Sequence, residues 1–105
     1  MIRIRWANAA TTDFFEICDF IASDDPRATD RFGTAVLAAI AGLSEHPRRG
    51  RPGRRARTRE LVLPGLPYVV VYAIEPGVGP DSDTLFITRV LHGAQRWPPV
   101  EPGRG

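Results

Sequence analysis

After a short first strand, the spacing of apolar residues is helical as far as about Arg57 and then changes to that of strands. Before Arg57, two apolar stripes follow the three- and four-residue spacing that places side chains on one face of a helix. The stripes consist of Phe14, Ile17, Cys18 and Ile21, followed by Phe32, Val36, Ala39, Ile40 and Leu43. After Arg57, polar and apolar residues alternate with the two-residue period of a strand. The chain is therefore predicted to combine helices with a sheet, because each apolar helix face needs a layer to cover.

The two helical stripes are separated by a Ser-Asp-Asp-Pro sequence at positions 23–26. Asp25 is predicted to cap the second helix, because an aspartate oxygen accepts hydrogen bonds from the free amides of a first turn, where Pro26 also fits. Asn8 is predicted to cap the first helix, and Pro47 is predicted to end the second. Because their connection is short, the helices are expected to form an antiparallel hairpin.

The other apolar segments predict four strands. The first is short, with Ile2, Ile4 and Trp6 alternating with arginines. Residues 58–63 alternate, residues 68–74 are apolar on both faces like a central strand, and residues 84–91 form the last strand. The predicted order is β-α-α-β-β-β, an α+β fold with an N-terminal helical hairpin packed on a mostly antiparallel sheet. A helical hairpin returns the chain to its starting end, so the second strand is expected to run antiparallel to the first.

Length and composition narrow the possible classes of protein. The chain has 105 residues, enough for one core; residues 1–97 are expected to form a single domain, and the Pro/Gly-rich residues 98–105 a flexible tail. No apolar stretch reaches the length of a membrane span, and charges interrupt the apolar N-terminal residues, unlike a secretory signal. A single cysteine cannot form an internal disulfide, which suits a reducing compartment. The expected location is the cytoplasm, with no membrane partner.

Arginine is concentrated between positions 48 and 59, where seven of the fourteen arginines fall. The seven are Arg48, Arg49, Arg51, Arg54, Arg55, Arg57 and Arg59. The net charge is only +2, and residues 11–30 are acidic, with five aspartates and one glutamate against one arginine. Guanidinium groups suit carboxylates and phosphates, so the cluster is predicted to bind an acidic protein segment or a nucleic-acid backbone. Charge does not discriminate between these partners, and a solvated loop is the alternative.

The arginine cluster is expected to contain two different parts. Residues 48–55 are predicted to form a mobile basic loop, whereas Arg57 and Arg59 belong to a strand. Alternation places Arg59 on the same side as Leu61, so its side chain is expected to be partly buried and to bind an acidic or carbonyl partner. Glu60 points to the opposite side and is therefore a poor partner for Arg59.

A second group of polar residues follows the last strand and is predicted to bind the target. It consists of His92, Gln95, Arg96 and Trp97, with Arg89 just before it. Cleavage of RNA needs a base, an acid and cations that stabilise the charge of the transition state. The candidate catalytic residues of a nuclease would be Arg59, Arg89, His92 and Arg96. Arginine is a poor proton carrier, so His92 is the one good acid/base and the set is incomplete.

No metal site and no cofactor are predicted. His46, His92 and Cys18 lie in separate elements and lack the spacing of metal ligands. Cys18 belongs to an apolar stripe, which is typical of a core residue and not of a nucleophile. Tyr68 and Tyr72 share one face of the central strand, where packing is the simpler interpretation than stacking on nucleic-acid bases.

These segments resemble the RelE/ParE superfamily of type II toxin–antitoxin toxins over nearly the full chain. The features are Trp6 at the end of the first strand, the Asp25-Pro26 bend, GRPG at 50–53, TRELV at 58–62, the Tyr68–Tyr72 strand and VLHGAQRWP at 90–98. The resemblance implies a small cytoplasmic toxin that is neutralised by a cognate antitoxin, whose acidic and apolar C-terminal segment folds around it. Such pairs often repress their own operon, so operator DNA would be contacted only through the antitoxin.

The superfamily divides by target. RelE-like members are ribosome-dependent mRNA endonucleases with a catalytic arginine on the strand that here has only valines between Tyr68 and Tyr72. They also have a terminal tyrosine where this chain has Trp97-Pro98. These departures favour a ParE-like toxin that inhibits DNA gyrase by binding and is not an enzyme. The alternatives are a RelE-like nuclease acting on ribosome-bound mRNA and an inactive member that only binds the antitoxin.

Overall fold

Two helices pack on one five-stranded sheet in the computed structural model, which describes residues 2–79 and 81–93. Along the chain the elements are β1 (Arg3–Trp6), α1 (Asn8–Ala22), α2 (Pro26–Glu45), β2 (Arg51–Pro52), β3 (Arg59–Val62), β4 (Tyr68–Glu75) and β5 (Thr84–His92). The α+β prediction is confirmed. The predicted flexible tail, together with Gln95, Arg96 and Trp97, lies outside the described residues.

The strand order is β1-β5-β4-β3-β2, and only the β1–β5 pair is parallel. Strand β3 therefore runs in the same direction as β1, and the expectation that this predicted second strand would be antiparallel was wrong. The cause is β2, a two-residue strand that the sequence pattern did not indicate. It follows the helical hairpin and takes the antiparallel direction before the chain reverses into β3.

The N-terminal cap of α2 is the predicted residue, whereas the N-terminal cap of α1 is not. Asp25 caps α2, its carboxylate accepting a hydrogen bond from the Arg27 amide at 3.0 Å. The prediction that Asn8 caps α1 was wrong, because Asn8 is already helical and Ala7 occupies the cap position without a side-chain bond. The Ala7 amide still donates to the Ile87 carbonyl of β5 at 2.9 Å, so the chain passes directly from the sheet into the helix.

The predicted apolar stripes form the core between the helices and the sheet. Phe32, Val36, Ile40 and Leu43 of α2 are buried, and the stripe of α1 packs partly buried against the same cluster. Burial of each large apolar side chain stabilises the fold by about 1.5–3 kcal/mol. Cys18 lies at this interface, and burial raises the pKa of its thiol, with a smaller contribution from the charge of Asp19. The cysteine is therefore a packing residue, as predicted.

Strand β4 is central, as its apolar sequence indicated. Its first five residues, 68–72, are all buried. Val70 and Tyr72 belong to the core beneath the helices, whereas Val69 and Val71 form a second buried cluster with Leu91. Within residues 2–79 and 81–93, neither helix has the length and apolar character needed to cross a membrane.

Candidate functional site

Tyr72 fixes the position at which the arginine segment leaves α2. Its ring is fully buried, and its hydroxyl donates to the Pro47 carbonyl at 2.6 Å while accepting from the Gly50 amide at 2.9 Å. Burial raises the pKa of this hydroxyl, although the Gly50 hydrogen bond and the charge of Arg59 act in the opposite direction. A Cβ atom at position 50 would lie 2.7 Å from the Tyr72 hydroxyl and 3.0 Å from the Glu60 carbonyl oxygen, so only glycine allows this approach.

Glu60 is a buried carboxylate that binds two arginines of the cluster. Its side chain is 1% exposed and accepts from the Arg54 amide at 2.8 Å, from Arg54 Nε at 3.2 Å and from Arg51 Nη2 at 3.2 Å. Burial raises the pKa of the Glu60 carboxyl, but the hydrogen bonds from Arg54 and Arg51 outweigh this effect and the net pKa is lowered. The expectation of a mobile loop at residues 48–55 is corrected in part, because Arg51 lies in β2 and Arg54 is bound to Glu60. The expectation that Arg57 lies in a strand was wrong, because β3 begins at Arg59 and Arg57 lies in the preceding turn with a φ of 63°.

Arg59 has carbonyl partners, one of the two kinds expected from its strand position. Its Nη1 atom donates to the Gly50 carbonyl at 2.7 Å and to the Arg48 carbonyl at 3.3 Å. Glu60 is bound to Arg51 and Arg54 and not to Arg59, again as expected. The guanidinium group of Arg59 is thus held in place by backbone atoms, and no carboxylate in residues 2–79 or 81–93 forms an ion pair with it.

Three arginines of the cluster surround an open cleft of about 420 Å³, which we call the cationic cleft. It is lined by Arg48, Pro52, Arg57, Thr58, Arg59, Ile74, Pro76 and Asp83. Among residues 2–79 and 81–93, the guanidinium groups of Arg48 and Arg57 form no hydrogen bond or ion pair. Arg49 and Arg55 are exposed and line neither this cleft nor the second cleft described below.

A second cleft of about 390 Å³ lies between α1 and the end of β5. The Asp13 carboxylate lines this cleft and accepts three hydrogen bonds. The donors are Arg89 Nε at 2.6 Å, Arg89 Nη2 at 2.8 Å and the Val90 amide at 3.0 Å. The hydrogen bond to Asp13 raises the pKa of Arg89, so this arginine remains a cation. His92 is exposed beside it, and its ring packs edge-on against Tyr68 with centroids 5.5 Å apart.

Among the described residues, the structure does not bring His92 of the second predicted group next to Arg59 of the first. Arg59 is paired with Tyr72 across β3 and β4, whereas His92 is paired with Tyr68 across β4 and β5. Four residues of extended strand span about 13 Å, so His92 lies far from Arg59 along the sheet. Arg89 does share the second cleft with His92, but it is bound to a carboxylate.

Sequence reasoning missed Asp13 and the role of Glu60. A signal for the first was present, since Arg89 interrupts an otherwise apolar strand and a partly buried cation needs a carboxylate partner. No comparable signal identified Glu60 as the centre of the arginine segment. Within the part of the chain that the structure describes, no three histidine, cysteine, aspartate or glutamate side chains are placed to hold a metal ion.

Comparisons with known proteins agree with this fold. The sequence model of the ParE toxin of type II toxin–antitoxin systems, parDE, matches residues 4–97. A protein of Sinorhizobium fredii named "Putative toxin Y4kP" is 41% identical over 98 residues, covering 93% of this chain and 95% of that protein. "Toxin RelE1" of Caulobacter vibrioides is 32% identical over 89 residues, covering 83% of this chain and 88% of that protein.

A solved structure has the same fold. The structure described as "Chromosomal ParDE TA system from P. aeruginosa" matches with a TM-score of 0.73 and 18% identity, covering 88% of this chain and 96% of that chain. At this identity the match supports the arrangement of helices and strands. The sequence model and the two relatives extend the agreement to the family, and the chain belongs to the ParE family of toxins of type II toxin–antitoxin systems, within the RelE/ParE superfamily.

Proposed function

We propose that this toxin acts by binding, as an inhibitor of DNA gyrase, and that a cognate antitoxin neutralises it. The observation that carries the first part is the separation of His92 from the cationic cleft. A nuclease must place a base, an acid and cationic groups around one phosphodiester. His92 lies beside Tyr68, about 13 Å along the sheet from the position of Arg59 beside Tyr72. This separation along the sheet supports binding better than cleavage, because a nuclease needs its imidazole and its cations at one phosphate.

The cationic cleft is also poor in proton carriers. Three arginines line it, and an arginine side chain is a poor general acid or base. Asp83 is the one carboxylate among the described lining residues, and it accepts a hydrogen bond from the Gly77 amide at 3.3 Å. A carboxylate base without an acid on the other side of the leaving group supports binding better than cleavage. The buried valines between Tyr68 and Tyr72 likewise leave no arginine at the centre of the sheet.

The antitoxin part of the proposal rests on family membership and on charge. The family model and the related Pseudomonas structure both belong to toxin–antitoxin pairs by their descriptions. The exposed cationic surface around Arg48 and Arg57 is complementary to the acidic C-terminal segment of such an antitoxin. Operator DNA would then be bound by the antitoxin in the complex.

Cleavage of ribosome-bound mRNA is the second candidate function. The observation in its favour is the 32% identity to a protein named Toxin RelE1. It would require that residues outside the described part of the chain supply the missing acid.

A direct test compares both targets with the same purified protein. With gyrase and relaxed plasmid, we expect loss of supercoiling and accumulation of gyrase–DNA cleavage complexes; with ribosomes and mRNA, we expect intact message. His92→Ala should abolish gyrase inhibition while the protein remains folded, with a small drop in melting temperature from loss of the ring contact with Tyr68. His46→Ala is the matched control, because His46 is also exposed and only its backbone is used at the end of α2. Unaffected gyrase together with codon-positioned mRNA cuts would overturn the proposal and favour the nuclease.

A further inference from the structure

We propose that the cationic cleft is a docking site for an acidic peptide segment in which a carboxylate side chain neighbours an apolar one. The carboxylate would bind the guanidinium groups of Arg48, Arg57 and Arg59, and the apolar neighbour would contact the proline and isoleucine walls of the cleft. This assignment rests on the proposed function, in which the antitoxin supplies such a segment. It divides five of the seven clustered arginines into two that hold the fold, Arg51 and Arg54, and three that meet the partner, Arg48, Arg57 and Arg59.

Pairing within the protein separates these two sets. Arg51 and Arg54 are bound to Glu60, so their charge is largely compensated inside the chain. In the described part of the chain, no carboxylate forms an ion pair with the cleft arginines, although Asp83 also lines the cleft. Arg59 is bound by carbonyl oxygens through one nitrogen, which leaves its other donors for a ligand. A planar fork with free donors binds a carboxylate with two parallel hydrogen bonds.

Arg57 is held on a turn whose conformation does not favour arginine. Its φ of 63° lies in the left-handed region, where a side chain is disfavoured relative to glycine. The turn is closed by the Gly53 amide donating to the Thr58 carbonyl at 2.7 Å and by the Thr58 amide donating to the Arg55 carbonyl at 3.2 Å. None of these bonds uses the Arg57 side chain. Glycine would therefore fit this position better for folding, and the charge of Arg57 is left for a ligand.

The lining of the cleft favours a peptide over a nucleic acid. Recognition of unpaired nucleotides uses aromatic side chains for stacking, and none of the described residues that line the cleft is aromatic. Pro52, Ile74 and Pro76 give it apolar walls that a phosphate backbone would not use. The carboxylate of Asp83 would also repel a polyanion more than a peptide with isolated acidic residues. Pro52 lacks an amide hydrogen, so recognition by addition of a strand beside β2 is disfavoured and side-chain contacts carry the binding.

The test measures fluorescence anisotropy of a fluorescein-labelled synthetic peptide of about twelve residues in which glutamate alternates with leucine, at about 0.15 M salt. Wild-type protein should bind it more tightly than a peptide with glutamine in place of glutamate, and more tightly than single-stranded or duplex DNA of similar length. Arg57→Gly should weaken binding about tenfold, the loss of one charge-assisted contact, while the melting temperature stays the same or rises. Arg57→Asn, which also tolerates the left-handed conformation, should behave alike.

Arg27→Ala is the matched control for loss of one positive charge, because Arg27 is exposed on the first turn of α2 and does not line the cleft. Three results would overturn the assignment. They are an equal loss of peptide affinity in Arg27→Ala, an unchanged peptide affinity in Arg57→Gly, and tighter binding of DNA than of the peptide. Gyrase inhibition by the wild-type protein is measured in parallel. Peptide binding that depends on Arg57 without gyrase inhibition would refute the proposed target and leave the cleft assignment intact.

Discussion

Replacing Glu60 with glutamine tests whether one buried carboxylate holds β2 and the following loop against β3. The side chain is 1% exposed and accepts three hydrogen bonds, two from guanidinium groups and one from the Arg54 amide. Glutamine has nearly the same shape, but an NH2 group takes the place of one oxygen. The NH2 group of the glutamine then faces an arginine N–H donor, and the negative charge that binds both arginines is lost.

The expected cost follows from the number and exposure of these bonds. A hydrogen bond to a charged group contributes about 1.5–3 kcal/mol when it is shielded from water. Arg51 and Arg54 are 59% and 40% exposed, so water replaces part of each lost contact and the total should be about 2 kcal/mol. Glu60→Leu removes the buried polar group along with its bonds and leaves mainly the Arg54 amide without a partner. It should therefore cost less, about 1 kcal/mol.

Urea unfolding followed by circular dichroism measures this order of stability at pH 7. Burial raises the pKa of Glu60, but hydrogen bonds from Arg54 and Arg51 bring the net pKa below the ordinary value. The ionised carboxylate thus stabilises the fold above its unfolded pKa of about 4.3, and this contribution is lost as the pH falls through the folded pKa. The difference between wild type and Glu60→Gln should shrink below about pH 4.3. A glutamine variant as stable as wild type at pH 7 would refute the reasoning.

Three further perturbations address other contacts. Tyr72→Phe removes the hydroxyl between Pro47 and Gly50 and should lower the free energy of unfolding in urea by about 2 kcal/mol; an unchanged value would mean that these bonds do not hold the segment. Asp13→Asn leaves Arg89, which is 27% exposed, without its carboxylate and should cost about 2 kcal/mol. A double-mutant cycle with Arg89→Ala checks the pairing, and a coupling energy near zero contradicts it. Gly50→Ala places a Cβ 2.7 Å from the Tyr72 hydroxyl and should lower the melting temperature, at a cost of about 2 kcal/mol; an undiminished melting temperature would show that the backbone can relax.

The fold was predictable where the pattern was long enough to have a period. The stripe on α2 and the apolar run on β4 each cover several side chains, so their burial followed from spacing. Strand β2 has two residues, one of them Pro52, and two residues carry no period. Missing β2 also reversed the predicted direction of β3, because each antiparallel turn changes the direction of every strand after it.

The site was less predictable because its contacts join distant parts of the chain. Asp13 and Arg89 are 76 positions apart, and no spacing rule connects residues so far apart. The partner of Arg59 was predictable by kind, since a half-buried cation needs a carbonyl or a carboxylate. Its identity depended on how the Pro47–Gly50 backbone folds beneath Tyr72, which only the tertiary structure determines.

Alternation along β3 explains why clustered arginines have two different roles. Arg59 is paired with Tyr72 and Glu60 with Val71, so these neighbours point to opposite faces of the sheet. Glu60 forms ion pairs with Arg51 and Arg54 on one face of the sheet. The cationic cleft lies on the face of Arg59, where β3 places no carboxylate. A shift of β3 by one residue would exchange the two faces and place Glu60 among the cleft arginines. The β3–β4 register, which pairs Arg59 with Tyr72 and Glu60 with Val71, therefore preserves the positive charge of the cleft.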